Sequence, residues 1–420
     1  MEFGLSRIHR LLHHFTFPWK AIHVAGTNGK GSVCAYASAM LHAANLRCGR
    51  FTSPHLVDRW DSITIDGATV SPALFHDVEA YFRAKSKRED IGASDFEILT
   101  AIAFEIFNRE HIDIGVVEAG LGGSYDATNV LPNTVASVIT KVGFDHQVQL
   151  GSSIESIATH KAGIMRQHTP CLVDSTNDTV VLNVIRHLAN TRGATLVPVP
   201  QHGSKILKEL SDFLIQSDYL PFQIMNIQLA FQAAEVALAS LEKAVTTIVL
   251  FDAIRATGWP GRLEFLDLSR LVPRKEVVLL DGAHNPQASA TLRTFVDMRL
   301  SRRESSVTWL VAISDNKNVH AMLQAILRPG DILIATDFPP VEGMPWVTPM
   351  DPMDIMNIAN SVCALDPASV ALRNSLDALH VCAILSKNRH MVVTGSLYLI
   401  GHIHRLQRSL QSETHIRLRK

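Results

Sequence analysis

The sequence predicts an α/β protein of two units: an N-terminal unit with a mostly parallel sheet flanked by helices, and a smaller C-terminal α/β unit. Three observations lead there. Short apolar runs alternate with helical patterns along most of the chain, the rhythm of a parallel sheet covered on both faces. That rhythm is interrupted by the turn-like segment Gly258-Trp259-Pro260-Gly261 and restarts beyond it. A chain of 420 residues also exceeds what one hydrophobic core usually organises. The units are therefore set at 1–258 and 259–420.

Phe3, Leu5, Ile8, Leu11 and Leu12 recur at helical spacing and predict a short opening helix. The run Ala21–Ala25 predicts a strand, a glycine-rich turn follows, and Ser32–Leu46 reads as a helix. Further strands are expected at Ile114–Val117 and Val135–Ile139, with helices at Phe96–Asn108, Ile154–Met165, Met225–Leu241 and Lys243–Thr257. In the second unit, strands are expected at Val277–Leu280, Trp309–Ile313, Ile332–Ala335 and His390–Thr394. Helices at Pro286–Val296 and Ala321–Leu327 separate them.

Composition narrows the function. A net charge of −1 gives no global basic field, so neither nucleic acid nor an anionic membrane is the expected main partner. The five cysteines are widely spaced without a CxxC pair, which suits reduced thiols in a cytoplasmic protein. The segment Met1–Phe15 lacks the apolar stretch of a secretory signal, and Arg7, Arg10 and Glu2 make it a poor mitochondrial presequence. No 18-residue apolar stretch is free of charge, so no membrane span is expected.

Any phosphate binding must then be local. The loop Gly26-Thr27-Asn28-Gly29-Lys30-Gly31-Ser32 stands between a strand and a helix, where small residues let backbone N–H groups reach phosphate oxygens and a lysine supplies charge. It departs from the general GxxxxGK[ST] pattern: Val24 replaces the first glycine, and Gly31 separates Lys30 from Ser32. Glu118 closes the run Ile114–Val117, at the strand edge where ligands of open α/β sheets gather, and a carboxylate there can hold Mg²⁺. Taken alone, Glu118 reads equally as a strand-end acid facing water, and Lys161 as a surface lysine at a helix end.

The departures point to one family. AGTNGKGS resembles the variant phosphate loop of the Mur ligase superfamily, within its folylpolyglutamate synthase and dihydrofolate synthase branch. Phe51-Thr52-Ser53-Pro54-His55-Leu56, Phe96-Glu97-Ile98-Leu99-Thr100 and Glu118-Ala119-Gly120-Leu121-Gly122-Gly123 are similar to that family's blocks, as is Asp126-Ala127-Thr128-Asn129. Asp145-His146, Lys161-Ala162-Gly163-Ile164, Pro260-Gly261-Arg262 and Asp281-Gly282-Ala283-His284-Asn285 continue them in the same order. The tail, with Gly343-Met344-Pro345-Trp346 and Gly395-Ser396-Leu397-Tyr398, most resembles the fungal members.

This resemblance implies a P-loop ATPase-like first domain and a Rossmann-like Mur ligase C-terminal domain. It implies an ATP-dependent amide ligase that activates a carboxylate as an acyl phosphate, with dihydropteroate and L-glutamate as substrates. It assigns Ser53, Glu118, His146 and Lys161 to Mg²⁺, with two ions and a carbamylated Lys161. Lys30, Glu118, His146 and Lys161 become the catalytic set. Gly26–Ser32, Asn226, Arg262, Asp281 and His284 are assigned to the nucleotide, and Leu5, Ser6, Phe96, Asp126 and Ala127 to the pterin acid. A cytoplasmic monomer is expected. Folylpolyglutamate synthesis, or a related ligase for another acid and amine, uses the same machinery, and a silent nucleotide-binding protein is the third reading. Two positions depart from the family: its GGRLDATN arginine is Ser124 here, followed by Tyr125, and the acid before its KAGI lysine is His160.

Overall fold

The computed structural model describes residues 4–200, 204–300 and 306–417. It divides into two compact units, one of residues 4–55 and 60–258, the other of 56–59 and 259–417. The short stretch Leu56–Arg59 packs with the second unit because Arg405 donates to the Val57 carbonyl and Arg408 pairs with Asp58 at 3.1 Å.

The first unit carries an eight-stranded sheet of β1 (Lys20–Ala25), β2 (Cys48–Phe51), β3 (Ile63–Ile65), β4 (Ala68–Thr69), β5 (Ile114–Glu118), β6 (Thr134–Ile139), β7 (Pro170–Asp174) and β8 (Thr195–Val199). Its order is β4-β3-β2-β5-β1-β6-β7-β8. Only the β2–β3 and β3–β4 pairs are antiparallel; all other pairs are parallel. β1 therefore lies at the centre, and β2, β5, β1 and β6 deliver their carboxyl ends to one edge, the ligand edge of a doubly wound sheet. The central strands are buried throughout and read as apolar runs for that reason.

Helices cover both faces. Pro221–Ser240 and Lys30–Ala43 pack on one side with Ile22, Val24, Val116 and Val138 beneath them. Asp95–Arg109 packs on the other against Trp19, Phe51 and Val117. Ser94 starts that helix in a capping box with Glu97, and Arg7 of the opening helix Ser6–Leu11 donates to the same Glu97 carboxylate at 3.0 Å. Phe3, expected in the opening helix, lies outside the described residues.

The second unit carries β9 (Glu264–Leu266), β10 (Val278–Leu280), β11 (Thr308–Val311), β12 (Ile332–Ala335), β13 (Val370–Ala371) and β14 (Met391–Thr394), in the order β13-β12-β11-β14-β10-β9. Only β9 is antiparallel to its neighbour. Both sheets are mostly parallel and flanked by helices, as the alternation of patterns predicts. Among the described residues no helix is long and apolar enough to cross a membrane.

Candidate active site

The loop after β1 is shaped by its glycines. Gly26 sits at φ +152°, and a β-carbon there would fall 1.8 Å from Thr140 Oγ1. Gly29 sits at φ +98°, with the Asn226 side chain 2.3 Å from where its β-carbon would be. Both positions exclude side chains for reasons of conformation and of space. Between them, the Thr27 and Asn28 amides donate to the Lys141 carbonyl at 2.8 and 3.1 Å, pinning the loop to the segment after β6. Thr27 Oγ1 and Thr140 Oγ1 hold it further, through Gly143 and the Asn28 carbonyl.

Gly29 is the N-cap of helix Lys30–Ala43, and no side chain caps that end. Its amides and dipole thus face the loop's mouth, a ready seat for an anion. Lys30, half-buried, reaches back to the Thr27 carbonyl at 3.3 Å and to Glu118 Oε1 at 3.7 Å. Asn226, expected at the nucleotide, is thus placed directly over Gly29 by helix Pro221–Ser240.

Glu118 is the last residue of β5 and is buried, so it does not face water as its position alone allowed. Its Oε2 accepts the Ser53 amide at 3.3 Å, because β2 and β5 pair in parallel with Phe51 opposite Val117. Ser53 and Glu118 are therefore adjacent. His146 stands on the same edge, after β6, in a left-handed conformation (φ 52°), with its side chain 39% exposed. Its amide donates to Asp145 Oδ1 and its Nε2 lies 3.9 Å from Asp145 Oδ2.

Lys161 is also deeply buried and so is not a surface lysine. Helix Ile154–Ala162 sends its ammonium to the Gly26 carbonyl at 2.7 Å. Burial pushes its pKa down from 10.5 to about 7, helped by the Lys30 charge and opposed by Asp145 and Asp126. The unfolded chain binds this proton more tightly than the folded one between those two values. Stability therefore rises with pH from about 7 to about 10.5, and the penalty is complete below 7. Lys161→Met is expected to lack this rise. Urea midpoints of parent and variant should converge toward the parent's favour as pH goes from 6.5 to 9.5; a constant difference contradicts the assignment.

Among the described residues, no three His, Cys, Asp or Glu side chains form a ready metal cage. A single buried carboxylate beside a serine suits Mg²⁺ all the same, because that ion keeps waters and takes further oxygens from substrate phosphates.

The residues expected at the pterin acid lie in the same unit. Phe96 covers Gly120, whose β-carbon would fall 2.3 Å from the ring, and stacks on Phe51 at 6.2 Å. It is partly buried in the core, with its remaining face toward the loop after β5. Leu5 and Ser6 stand at the start of the helix whose Arg7 holds Glu97. Asp126 is buried: its Oδ2 accepts the Leu121 amide at 2.8 Å and its Oδ1 the Thr128 amide at 3.0 Å. Burial raises its pKa, against those backbone donors. Ala127 follows it into the core.

In the second unit, Asp281 follows β10 and is buried, with both oxygens accepting backbone amides, from Leu263 at 2.8 Å and Ala283 at 2.9 Å. Burial raises its pKa and the Arg262 charge opposes this. Arg262 lies across Gly282, where a β-carbon would meet its guanidinium at 2.5 Å. His284 Nδ1 lies 2.8 Å from the Gly282 carbonyl. The three expected residues are thus gathered at one strand end.

Residues 264–406 match the family model described as the C-terminal domain of dihydrofolate synthetase. The chain is 34% identical over 435 residues to the "probable dihydrofolate synthetase" of Schizosaccharomyces pombe, across 96% of this chain and 98% of that one. It is 34% identical over 425 residues to the dihydrofolate synthetase of Saccharomyces cerevisiae, across 97% and 99%. The chain belongs to the dihydrofolate synthase and folylpolyglutamate synthase family. Among solved members, the Mycobacterium tuberculosis folylpolyglutamate synthase complexed with ADP and AMPPCP is 26% identical with a TM-score of 0.79, covering 96% of this chain and 95% of that one.

One member of the site escapes sequence reasoning. His23, buried in β1, places Nε2 2.8 Å from Thr128 Oγ1, and that hydroxyl donates to Asp126 Oδ1. Thr128 must then accept from His23, which fixes the Nε2–H tautomer. Burial lowers the His23 pKa to about 3, so the ring stays neutral. His23 thus reaches Asp126 only through the Thr128 hydroxyl. A histidine inside an apolar run gives no sequence signal of such a role.

Proposed function

We propose that the chain is a dihydrofolate synthase: it joins L-glutamate to 7,8-dihydropteroate with conversion of ATP to ADP and phosphate. The observation that carries this reading is the convergence of Lys30, Glu118 and Lys161 on the uncapped loop Gly26–Gly29, in a chain matched end to end by fungal dihydrofolate synthetases. A cytoplasmic location and a monomeric state belong to the same reading.

The loop amides and Lys30 hold the phosphates and draw charge from the γ-phosphoryl group. The dihydropteroate carboxylate attacks the γ-phosphorus, ADP leaves, and an acyl phosphate forms. The glutamate amine then attacks the acyl carbon, loses a proton, and expels phosphate. Ser53, Glu118 and His146 would hold Mg²⁺, which supplies Lewis-acid charge to the phosphate oxygens. Part of the Lys161 population is a neutral amine near pH 7. Such an amine adds to CO₂ with loss of a proton, giving the carbamate that would serve a second ion. Asp126 and Phe96 would receive the pterin, with Ala127, Leu5 and Ser6 around them. Arg262, Asp281 and His284 are, by family resemblance, the residues of the second unit proposed for the nucleotide.

Isotope transfer tests the sequence of steps. Dihydropteroate labelled with ¹⁸O in its carboxylate must pass one ¹⁸O per turnover to inorganic phosphate. Unlabelled phosphate released alongside dihydrofolate contradicts the acyl phosphate.

A further inference from the structure

The two positions that depart from the family lie against each other. Ser124 donates to the His160 carbonyl from its amide at 2.8 Å and from its hydroxyl at 3.2 Å. The Ser124 side chain is turned onto helix Ile154–Ala162 and its end: a β-carbon at Gly163 would fall 1.9 Å from Ser124 Oγ. Tyr125 is therefore the residue of this loop that points outward. It is 54% exposed and sets its ring edgewise on His160, with centroids 5.9 Å apart at 61°. Tyr125 directly precedes Asp126 and His160 directly precedes Lys161, so the ring contact ties the loop that would take the pterin to the helix that carries Lys161.

Three cations of the neighbouring segments donate to backbone carbonyls. Lys161 donates to the Gly26 carbonyl at 2.7 Å, Arg166 to the Asn129 carbonyl at 2.7 Å, and Arg192 to the Gly163 carbonyl at 2.7 Å. An exposed ring braced by a second ring offers an aromatic face at low conformational cost. Where the family carries an arginine in this loop, Ser124 and Tyr125 supply no guanidinium to pair with a second carboxylate.

We infer that Tyr125, braced by His160, is a specificity-determining residue that favours an aryl carboxylate bearing no further acid group over one already extended by glutamate. This rests on the dihydrofolate synthase reading and narrows it, because dihydropteroate is of the first kind and tetrahydrofolate of the second.

Steady-state kinetics of the full chain, with each acid in turn beside ATP and glutamate, test it. Tyr125→Ala is expected to raise the KM for dihydropteroate about tenfold, equivalent to about 1.4 kcal/mol, with the KM for ATP within about twofold. Tyr125→Phe should restore it, since the ring is what acts. Tyr125→Arg should narrow the parent's preference for dihydropteroate over tetrahydrofolate by at least about tenfold. An unchanged KM in Tyr125→Ala, an equal rise for ATP, or a parent without preference overturns the inference and leaves the dihydrofolate synthase reading intact. A parent that releases no ADP on addition of dihydropteroate overturns both.

Discussion

Lys30→Ala is expected to lower turnover with ATP by at least about a thousandfold, the cost of losing a cation aimed at developing phosphoryl charge. Lys30 begins the helix that opens at Gly29, and its ammonium is drawn inward by the Thr27 carbonyl and by Glu118 at 3.7 Å. It is therefore preplaced over the uncapped helix end. Its aliphatic stem contributes little to the core, so the variant should fold and unfold near the parent's temperature. Lys30→Arg should not rescue it, because the ammonium acts as a compact charge in a tight loop and a guanidinium does not. Initial rates of ADP formation with saturating ATP measure this. A variant retaining a tenth of the parent rate contradicts the assignment of the loop.

Glu118→Gln should cost about a hundredfold or more in turnover and shift the dependence on Mg²⁺ to higher concentration. The amide keeps the size of the carboxylate and an oxygen for the Ser53 amide, which donates to it at 3.3 Å. What it loses is the negative charge, buried at the end of a central strand, where water does not screen it. A structural role would move stability and leave the Mg²⁺ titration alone. Titrating Mg²⁺ at fixed ATP separates the two: an unchanged half-saturating concentration with unchanged turnover removes Glu118 from the metal site.

Much of the fold was legible because its central strands are buried on both faces. Ala21–Ala25, Ile114–Val117 and Ile332–Ala335 are apolar but for His23, and each lies within or coincides with an observed strand. Strands with less continuous apolar runs are not legible in the sequence. Cys48–Phe51 contains Gly49, which lets the Phe107 ring approach to 2.5 Å of a would-be β-carbon, and it contains a charged Arg50. Thr195–Val199 is interrupted by Pro198 and half-exposed. The helix Pro72–Arg88 is polar over most of its surface, so its apolar positions Phe75, Val78 and Phe82 form a thin stripe.

The site divides the same way. The phosphate loop announces itself, since Gly26 and Gly29 occupy backbone conformations that other residues avoid. Glu118 and Lys161 do not, because a buried charge and an exposed one are written with the same letter. Their burial follows from the pairing of β2 with β5 and from a helix laid against the loop, neither of which is local in sequence. In the sequence Ser124 marks only a departure from the family's arginine; the structure gives it a place against Gly163 and leaves the outward position to Tyr125.

Dihydropteroate is the acid proposed to be activated. The most direct measurement is ADP release by the full chain with ATP, Mg²⁺ and L-glutamate, with dihydropteroate in one reaction and tetrahydrofolate in another. Strong stimulation by dihydropteroate is expected, with dihydrofolate and ADP formed in equal amounts, and a much weaker response to tetrahydrofolate. Stimulation by neither acid in a chain that still binds ATP would contradict it.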